Sequence, residues 1–501
     1  MEAFKKAGIE FILTSHEGAA GVMADVSARL TGVPGVCHAT FGPGATNLVT
    51  GTGLAFLDRS PMIVLTSEMP ERLRMRTVQM NIDHQELYKP VTKMTLRLTM
   101  DNVEEVMEAA IAVSANEYPG PVHIGLPSDV ADMEFHHSGA DKIEYSEPLF
   151  ENNLPEIINL LEKSRRPLLA IGLTAARFGV RRMIYDLLSS YPMPVVLTPM
   201  AKGLLAEDHP CYAGVLFHAL SDYMEDIYQK TDLVIGLGYD PVEFNYESWM
   251  PDVPLVHFDT RISDMPEDIQ FVRFTGLPSE WFKVLRNLNP GALVFESAVI
   301  RGIRDEMEGV FNGFLSHFGP VAALKALRDE LPSDTIVTAD VGSHLHVIGQ
   351  YWRTPVAERL IITNGWSSMG FGIPAAISAQ LNRPGSKVFC ITGDGGFLMS
   401  AGEILTARRY NLPVKIVVFS DAELNLIKLK QSWQEILPYG TSLYNGDLFG
   451  AERFLGVKVL TVKSEAEMRI AVKSALIMDE PLIINALIDP EDYKWLVVKP
   501  K

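Results

Sequence analysis

The chain has 501 residues, of which 47% are hydrophobic and 21% are charged, a composition typical of a soluble globular protein with roughly three domains. Its formal net charge of −18 argues against nucleic acid or an anionic membrane as a partner, because both require a basic surface. No apolar run has the roughly 18 to 20 residues that a membrane helix needs, and the N-terminal residues show no signal-peptide pattern. The three cysteines, Cys37, Cys211 and Cys390, lie far apart in apolar segments and are expected to be buried free thiols. We therefore predict a cytoplasmic protein.

The first part of the chain, residues 1–132, alternates helical segments with short apolar runs that favour strands. The predicted strands are GIEFILTS, PGVCHATFG, PMIVLTSE and PGPVHIGLP. This alternation is typical of an α/β domain with a mostly parallel sheet. Residues 133–152 are polar and without period, and we predict that they form a linker.

Two further α/β domains are predicted at residues 153–300 and 315–490. The strands of the middle domain are expected at PLLAIGL, MPVVLTPM, DLVIGLG and VPLVHFD, and those of the last domain at TIVTAD, RLIITN, KVFCIT, KIVVFS, VKVLTV and PLIINALID. A dinucleotide-binding fingerprint is excluded in the middle domain, because AIGLTAARFG has the wrong glycine spacing. The predicted fold class is therefore α/β, with three doubly wound parallel-sheet domains.

Two aspartates follow neighbouring predicted strands of the last domain. Asp394 comes after KVFCIT and Asp421 comes after KIVVFS, with a helix-forming segment between them. Parallel strands joined by a helix end at the same edge of a sheet, so both carboxylates are expected there. With Gly393, Gly395 and Gly396, which allow close approach of the backbone, they suit a Mg²⁺ ion that carries a phosphorylated cofactor. For either aspartate alone, a turn or cap residue is the simpler interpretation.

Four segments, in a fixed order, carry a family resemblance. They are residues 16–20 (HEGAA), 42–47 (GPGATN), 365–372 (GWSSMGFG) and the stretch 387–430 with its Gly-Asp-Gly turn. With these segments the chain resembles the thiamine diphosphate-dependent enzymes of the acetolactate synthase and pyruvate oxidase-like family. The resemblance implies a pyrimidine-binding, a central and a diphosphate-binding domain, in that order. It also implies a homodimer or homotetramer in which the two sides of one cofactor come from different chains.

The resemblance assigns Mg²⁺ and the diphosphate to the last domain. Asp394 and Asp421 would each give a carboxylate oxygen to Mg²⁺, and the backbone carbonyl of Glu423 a third oxygen. Many members have asparagine where this chain has Asp421, and both residues are oxygen donors. Ser343 and His344 match the place where the family hydrogen-bonds the diphosphate. The alternative interpretation, a helix-capping serine and an exposed histidine, explains these two residues equally well.

Glu17 is the predicted catalytic residue. By the resemblance it hydrogen-bonds the aminopyrimidine ring, where burial of the carboxyl group favours its protonated form and lets it share a proton with the ring. Without the resemblance, a carboxylate at a helix N-terminus is the simpler interpretation. Met369 matches the bulky residue under the cofactor that would bring its two rings together, and an isolated methionine is otherwise a core residue. The backbone carbonyl of Ser367 would accept a hydrogen bond from the 4′-amino group.

Gly44 and Asn47 lie in GPGATN, which reads as a strand-to-helix turn with amides available at a helix N-terminus. It either faces the reacting centre or is simply a tight turn. By the resemblance, this turn packs on the cofactor of the neighbouring subunit.

The substrate-binding residues stay open. An ungapped match places Met80 where family members often have glutamine, with Gln79, His84 and Gln85 nearby. A surface helix with scattered polar residues explains them equally well. Ser128 stands where many flavin-dependent members have lysine, and residues 238–244 resemble the flavin-free, catabolic type. These residues weigh against FAD but leave flavin occupancy open.

The family normally has a further strand and loop before the helix that MEAFKKAG resembles, so we expect the first domain to lack that strand. The expected activity is thiamine diphosphate- and Mg²⁺-dependent decarboxylation of a pyruvate-like 2-oxo acid with carboligation, as in acetolactate synthase. The alternatives are another decarboxylase, an acyltransferase, a hydroxyacyl lyase or a non-catalytic cofactor-binding homologue. The cofactor residues alone do not separate these, since the cofactor supplies the shared chemistry.

Overall fold

The computed structural model describes residues 2–131, 133, 152–217, 219–243, 252–262, 271–295 and 297–496. Three β-sheets, of four, six and seven strands, lie within these residues. Their strand pairs are parallel, apart from one antiparallel pair at the end of the third sheet. The prediction of three parallel-sheet α/β domains is confirmed. The predicted linker lies outside the described residues apart from Met133 and Asn152, as does residue 244.

The first sheet has the strand order β1-β2-β4-β3. Its strands are Gly35–Ala39 (β1), Met62–Glu68 (β2), Met94–Arg97 (β3) and Pro121–Pro127 (β4). The helices are Glu2–Lys6, Glu17–Thr31, Pro43–Leu57, His84–Tyr88, Val103–Ala115 and Ser128–Ala131, with 3₁₀ turns at Glu71–Leu73 and Lys89–Val91. Met62 and Val64 pack in one buried cluster and Ile63 in another, so β2 is covered on both faces, as a central parallel strand requires. Three predicted strands are confirmed, and the short, partly polar β3 was not predicted.

The strand predicted at GIEFILTS is wrong, because residues 9–14 belong to no strand. Their backbone bonds instead to side chains of the third domain: Leu13 N–H donates to Tyr410 Oη at 2.8 Å, and Arg409 donates to Leu13 O at 2.7 Å. A groove of about 630 Å³ lies between this segment and β1, and Ile9 and Leu13 remain 55% and 51% exposed. The run has the composition of a strand, but a strand also needs an adjacent strand for its backbone groups.

The second sheet has the strand order β10-β9-β8-β5-β6-β7. Its strands are Pro167–Ile171 (β5), Val195–Leu197 (β6), Tyr212–Val215 (β7), Leu233–Leu237 (β8), Leu255–Asp259 (β9) and Phe271–Thr275 (β10). The helices are Leu154–Lys163, Leu173–Arg177, Arg181–Ser190, Glu225–Tyr228, Pro278–Leu285 and Ser297–Gly313, with 3₁₀ turns at Pro199–Ala201, Ser221–Met224 and Pro241–Glu243. The four predicted strands are the inner ones. The two that were not predicted, β7 and β10, are the edge strands.

The third sheet has the strand order β12-β11-β13-β14-β17-β16-β15. Its strands are Ile336–Ala339 (β11), Leu360–Ile361 (β12), Val388–Gly393 (β13), Lys415–Ser420 (β14), Arg453–Phe454 (β15), Val457–Val462 (β16) and Leu482–Leu487 (β17). The helices are Pro320–Glu330, Ser343–Tyr351, Gly372–Asn382, Asp394–Ser400, Glu403–Arg409, Asn425–Trp433, Glu465–Ile477 and Glu491–Leu496. All six predicted strands are present. The carboxyl ends of β11, β13 and β14 lie side by side, which is where parallel α/β sheets bind ligands.

The first and third domains pack together through helices Glu17–Thr31 and Gly372–Asn382. The half-buried Arg29 of the first helix pairs with Asp25 and Asp58 at 2.8 and 2.7 Å and donates to Ile362 O at 2.6 Å. The guanidinium therefore links the two domains, and it compensates the charges of two buried aspartates, which would lack a cation if Arg29 were lost. This interface fixes the start of the Glu17 helix relative to the third sheet.

Two expectations concern the whole chain. Cys37, Cys211 and Cys390 are buried and free, as predicted. Among the described residues, no helix combines the length and the apolar character that crossing a membrane requires.

Candidate active site

Asp394 and Asp421 stand at the carboxyl ends of the adjacent parallel strands β13 and β14. Asp394 Oδ2 accepts hydrogen bonds from the backbone N–H groups of Asp421 and Ala422 at 3.1 and 2.7 Å. Burial raises the pKa of Asp394, and burial together with the nearby Asp394 raises the pKa of Asp421 to about 7. The structure thus brings the two aspartates together. A buried and a half-buried carboxylate that repel each other suit a bound cation.

Two side chains that sequence reasoning missed hold these carboxylates. Tyr444 Oη donates to Asp394 Oδ2 at 2.9 Å, and Asn425 Nδ2 donates to Asp421 Oδ2. The backbone N–H of Glu423 donates to Asp421 Oδ1 at 3.1 Å, so the third predicted metal ligand lies beside the pair. Asn425 follows Asp421 by four positions and begins a helix, which is a weak signal in the sequence. The sequence around Tyr444 gives no signal that would have identified this residue.

Side chains would have little room at Gly395 and Gly396 of the Gly-Asp-Gly-Gly turn. A Cβ atom at Gly395 would lie 3.0 Å from Met369 Cε, and one at Gly396 would lie 2.8 Å from Asp340 Cγ. Glycine at these positions therefore lets Met369 and Asp340 pack directly against the turn.

Ser343 and His344 begin the helix Ser343–Tyr351 and are only 5% and 3% exposed. The alternative of a capping serine and an exposed histidine is wrong, because Gly342 is the N-cap residue and the ring is buried against Gly393. Among the described residues, Ser343 Oγ and His344 Nε2 have no hydrogen-bond partner. Burial lowers the pKa of His344 to about 4, so its ring is neutral near pH 7. Two orphaned polar atoms beside the aspartate turn mark a place for an external polar ligand.

Asp340, at the end of β11, organises the loop that carries Ser367 and Met369. Its buried carboxylate accepts from the N–H groups of Gly370 and Gly372 at 2.9 and 3.1 Å, and burial raises its pKa to about 6. Ser367 is exposed with φ 51°, and Met369 is half-buried. Asp340 was missed although it ends the predicted strand TIVTAD, the same signal that selected Asp394.

Glu17 is the first residue of the helix Glu17–Thr31 and is half-buried. Asn47 Nδ2 donates to Glu17 Oε2 at 3.0 Å, and a Cβ atom at Gly44 would lie 3.4 Å from Glu17 Oε1. The predicted strand-to-helix turn is present, since GPGATN enters the helix Pro43–Leu57. The structure therefore brings Glu17, Gly44 and Asn47 together.

A buried carboxylate of the third domain fixes the backbone before Glu17. Glu403 is 1% exposed and accepts from the N–H groups of Ser15 and His16 at 3.0 and 2.9 Å. Ser15 and His16 lie 388 and 387 positions before Glu403 in the chain, so no local pattern predicts the contact. Glu403 aligns the start of the Glu17 helix, because its carboxylate accepts from two consecutive amides.

The predicted site residues form two clusters. The first, which we call the N-terminal cluster, contains Glu17, Gly44 and Asn47. The second, the C-terminal cluster, contains Ser343, His344, Ser367, Met369, Gly393, Asp394, Gly395, Gly396, Asp421 and Glu423. Among the described residues, Glu17 shares no hydrogen bond or ion pair with the C-terminal cluster.

The residues considered for substrate binding have different surroundings. Gln79 and Met80 are exposed, and Met80 has φ 64°. His84 is 3% exposed and lies under the turn before Gly44, so the interpretation as a surface helix is wrong for this residue. Gln85 Nε2 donates to Glu68 Oε1 at 2.6 Å, which engages its amide within the protein.

Comparison with known proteins shows the family of the chain and the domain in which each cluster lies. Three family models match the chain: the N-terminal TPP binding domain of thiamine pyrophosphate enzymes at residues 1–87, their central domain at 154–273, and their C-terminal TPP binding domain at 340–486. The probable acetolactate synthase large subunit of Methanococcus aeolicus is 30% identical, over 98% of this chain and 87% of its own length. This chain belongs to the thiamine pyrophosphate enzyme family. The N-terminal cluster lies in the first TPP-binding match, and the C-terminal cluster lies in the last.

Other members of the thiamine pyrophosphate enzyme family show the same extent of similarity. The probable acetolactate synthase large subunit of Methanocaldococcus jannaschii is 29% identical over 98% of this chain and 87% of its own length. The acetolactate synthase isozyme 2 large subunit of Escherichia coli is 28% identical over 100% of this chain and 92% of its own length.

The residues of the C-terminal cluster fit the cofactor of the thiamine pyrophosphate enzyme family and a divalent cation. The orphaned Ser343 Oγ is a potential donor to a phosphate oxygen, and the orphaned His344 Nε2 becomes one when the ring is protonated. The carboxylates of Asp394 and Asp421 are hard oxygen ligands of the kind that Mg²⁺ binds. The turn around Gly395 provides the bare backbone that a diphosphate group needs for close approach.

Proposed function

We propose that this protein decarboxylates a pyruvate-like 2-oxo acid and joins the remaining acyl unit to a second 2-oxo acid, with thiamine diphosphate and Mg²⁺ as cofactors. The observation that carries the proposal is the carboxylate pair Asp394 and Asp421 next to the orphaned side chains of Ser343 and His344. The names of the three relatives compared above, which are acetolactate synthase large subunits, support this reaction over others in the family.

In the C-terminal cluster, Asp394 and Asp421 would hold Mg²⁺ through carboxylate oxygens, and the backbone carbonyl of Glu423 would be a third ligand. Ser343 Oγ–H would donate to the diphosphate. His344 would donate from Nε2 once the negative charge of the diphosphate favours the protonated ring, because its other ring nitrogen is engaged with the backbone of Asp340. Tyr444 would keep the Asp394 carboxylate in place while the metal binds.

In the N-terminal cluster, Glu17 would hold a proton and share it with a ring nitrogen of the aminopyrimidine. Asn47, which donates to Glu17 Oε2, would fix the orientation of that carboxyl group. Met369 would pack under the cofactor, and the Ser367 carbonyl would accept from its amino group. Thiamine diphosphate, when bound, supplies a carbon nucleophile and takes up the electron pair that departing CO₂ leaves behind.

A homodimer completes the site in this proposal, with the N-terminal cluster of one chain facing the C-terminal cluster of another. Exposed apolar side chains near the aspartate turn support a subunit interface. Leu398 and Met399, on the helix that Asp394 begins, are 44% and 63% exposed. Groups of exposed apolar side chains are typical of surfaces that bind another chain.

The middle domain supports an enzyme without FAD. Glu243 Oε2 accepts from Leu173 N–H at 2.7 Å, so its carboxylate lies at the helix N-terminus where a dinucleotide phosphate would bind. Burial raises the pKa of Glu243 to about 8. The buried free cysteines support a reducing, cytoplasmic location.

Product analysis with pyruvate tests the proposed reaction. We expect CO₂ and 2-acetolactate in equal amounts, because two pyruvate molecules give one of each, and we expect neither product without thiamine diphosphate or in the presence of EDTA. Acetaldehyde in place of acetolactate would identify a decarboxylase without carboligation. Failure of cofactor-loaded protein to release CO₂ from any of several 2-oxo acids would indicate a non-catalytic homologue.

A further inference from the structure

A chain of hydrogen bonds crosses the core of the first domain and ends at the turn before Gly44. His84 Nε2 accepts from the backbone N–H of Gly42 at 3.3 Å. His84 Nδ1 lies 2.9 Å from Thr66 Oγ1, and that oxygen lies 2.7 Å from His123 Nε2. The three side chains are buried, and the proposed function uses none of them.

The hydrogen bond from the Gly42 amide determines which nitrogen of the His84 ring carries the hydrogen. An amide only donates, so His84 Nε2 carries no hydrogen and the neutral ring carries its hydrogen on Nδ1. Nδ1–H then donates to Thr66 Oγ1, and either Thr66 Oγ1 or His123 Nε2 can be the donor in the bond between them. Burial lowers the pKa of both His84 and His123, which keeps the rings neutral.

The turn at Gly42 depends on this acceptor. Gly42 is the N-cap of the helix Pro43–Leu57 and has φ 65°, so its N–H lies outside the helical hydrogen bonds. Met80 lies close against the other side of the turn, because a Cβ atom at Gly42 would be 2.6 Å from Met80 O. His84 and Met80 therefore hold Gly42 from two directions.

A metal site is the other interpretation of this cluster. Potential ligand atoms of Glu68, His84 and His123 lie within 4.8 Å of one another. However, Arg97 and Gln85 donate to the two oxygens of Glu68 at 2.7 and 2.6 Å, and the Thr66 hydroxyl occupies the space between the two rings. The carboxylate is neutralised and the rings are already bonded, which favours a hydrogen-bond chain over a metal site.

We propose that His84 is a positioning residue: by accepting the Gly42 amide hydrogen, it fixes the turn that sets Gly44 and Asn47 against Glu17. The inference rests on the proposed role of Glu17 in activating the cofactor. Asn47 is the side chain that donates to Glu17, so movement of the turn moves the partner of the catalytic carboxyl group. Even when a substitution lies away from the reacting atoms, displacing a catalytic group by about 1 Å costs up to ~100-fold in rate.

Two amide substitutions at position 84 separate the acceptor role from a space-filling role. His84→Gln places its amide oxygen near the position of Nε2 and keeps an acceptor for Gly42. His84→Asn, one methylene shorter, places its amide near Nδ1 and leaves the Gly42 amide without this acceptor. Three quantities are measured: the exchange rate of the cofactor C2 proton, the protection of the Gly42 amide against hydrogen–deuterium exchange, and the thermal unfolding midpoint.

We expect His84→Asn to slow C2-proton exchange about tenfold, the loss of one hydrogen bond, and to abolish protection of the Gly42 amide. His84→Gln should stay within about threefold of the wild-type rate. Equal losses in both variants, or a protected Gly42 amide in His84→Asn, would overturn the proposal.

Hydrogen exchange of the Gly42 amide in the wild-type protein tests the proposal without either variant. If neither variant folds, a Gly42 amide that exchanges more slowly than in an open chain supports the proposal, and exchange at the open-chain rate overturns it. A wild-type protein that binds thiamine diphosphate without C2-proton exchange refutes the proposed function instead, and the Gly42 amide then still tests the role of His84.

Discussion

We expect Glu17→Gln to slow C2-proton exchange of bound thiamine diphosphate by roughly 10²- to 10⁴-fold, the contribution typical of a positioned acid–base group. Glutamine keeps the length of the side chain and an oxygen for Asn47, whose Nδ2 lies 3.0 Å from Glu17 Oε2. It has no carboxyl proton to share with the aminopyrimidine. Exchange is measured by incubating the holoenzyme in D₂O, quenching with acid and quantifying the C2 proton by NMR.

The same variant should retain its affinity for thiamine diphosphate and Mg²⁺ within about threefold, because the diphosphate and the metal bind the C-terminal cluster. The matched control is Glu10→Gln, the same substitution at an exposed position seven residues earlier. The control should exchange at the wild-type rate. An unchanged rate in Glu17→Gln would remove Glu17 from the catalytic role.

Asp394→Ala is expected to lower the affinity for thiamine diphosphate roughly 100-fold or more at low Mg²⁺, since even indirect partners of a metal ligand contribute 10- to 100-fold. Asp394 is 3% exposed and its Oδ2 accepts from two backbone amides and from Tyr444. The substitution removes both a predicted metal ligand and the acceptor that holds the turn at Asp421. The measurement is a cofactor titration at graded Mg²⁺ concentrations.

Asp479→Ala serves as the control for this titration, because it removes an exposed aspartate of the same domain. Its cofactor affinity and its Mg²⁺ dependence should match the wild type. Wild-type affinity of Asp394→Ala at low Mg²⁺ would count against the metal assignment. Glu17→Gln should exchange slowly and still bind the cofactor, whereas Asp394→Ala should lose binding. This pair of outcomes would assign different functions to the two clusters.

The sequence was sufficient for the parts of the site that follow from sheet geometry. Asp394 and Asp421 come together because parallel strands joined by a helix end at one edge, and the apolar runs of β13 and β14 are distinct. Inner strands of all three sheets were predicted for the same reason, since strands buried on both faces are continuously apolar. The short edge strands β7, β10 and β15 lack that signal.

Features that depend on distant contacts could not be predicted. GIEFILTS has the composition of a strand, but Tyr410 and Arg409, almost 400 positions away, bind its backbone. Glu403 and Tyr444 lie in unremarkable segments and act only through the packing of the chain. His84 could be named as a candidate, but its burial under Gly42 is a property of the folded domain.

The central claim is that one cofactor site combines Glu17 of one chain with Asp394 and Asp421 of another. Mixing Glu17→Gln and Asp394→Ala subunits in equal amounts, with subunit exchange, tests it directly. Half of the resulting dimers are hybrids with one intact site each, so we predict recovery of about a quarter of the wild-type acetolactate-forming activity. Activity that stays at the level of the parent variants, although hybrids form, would contradict the claim.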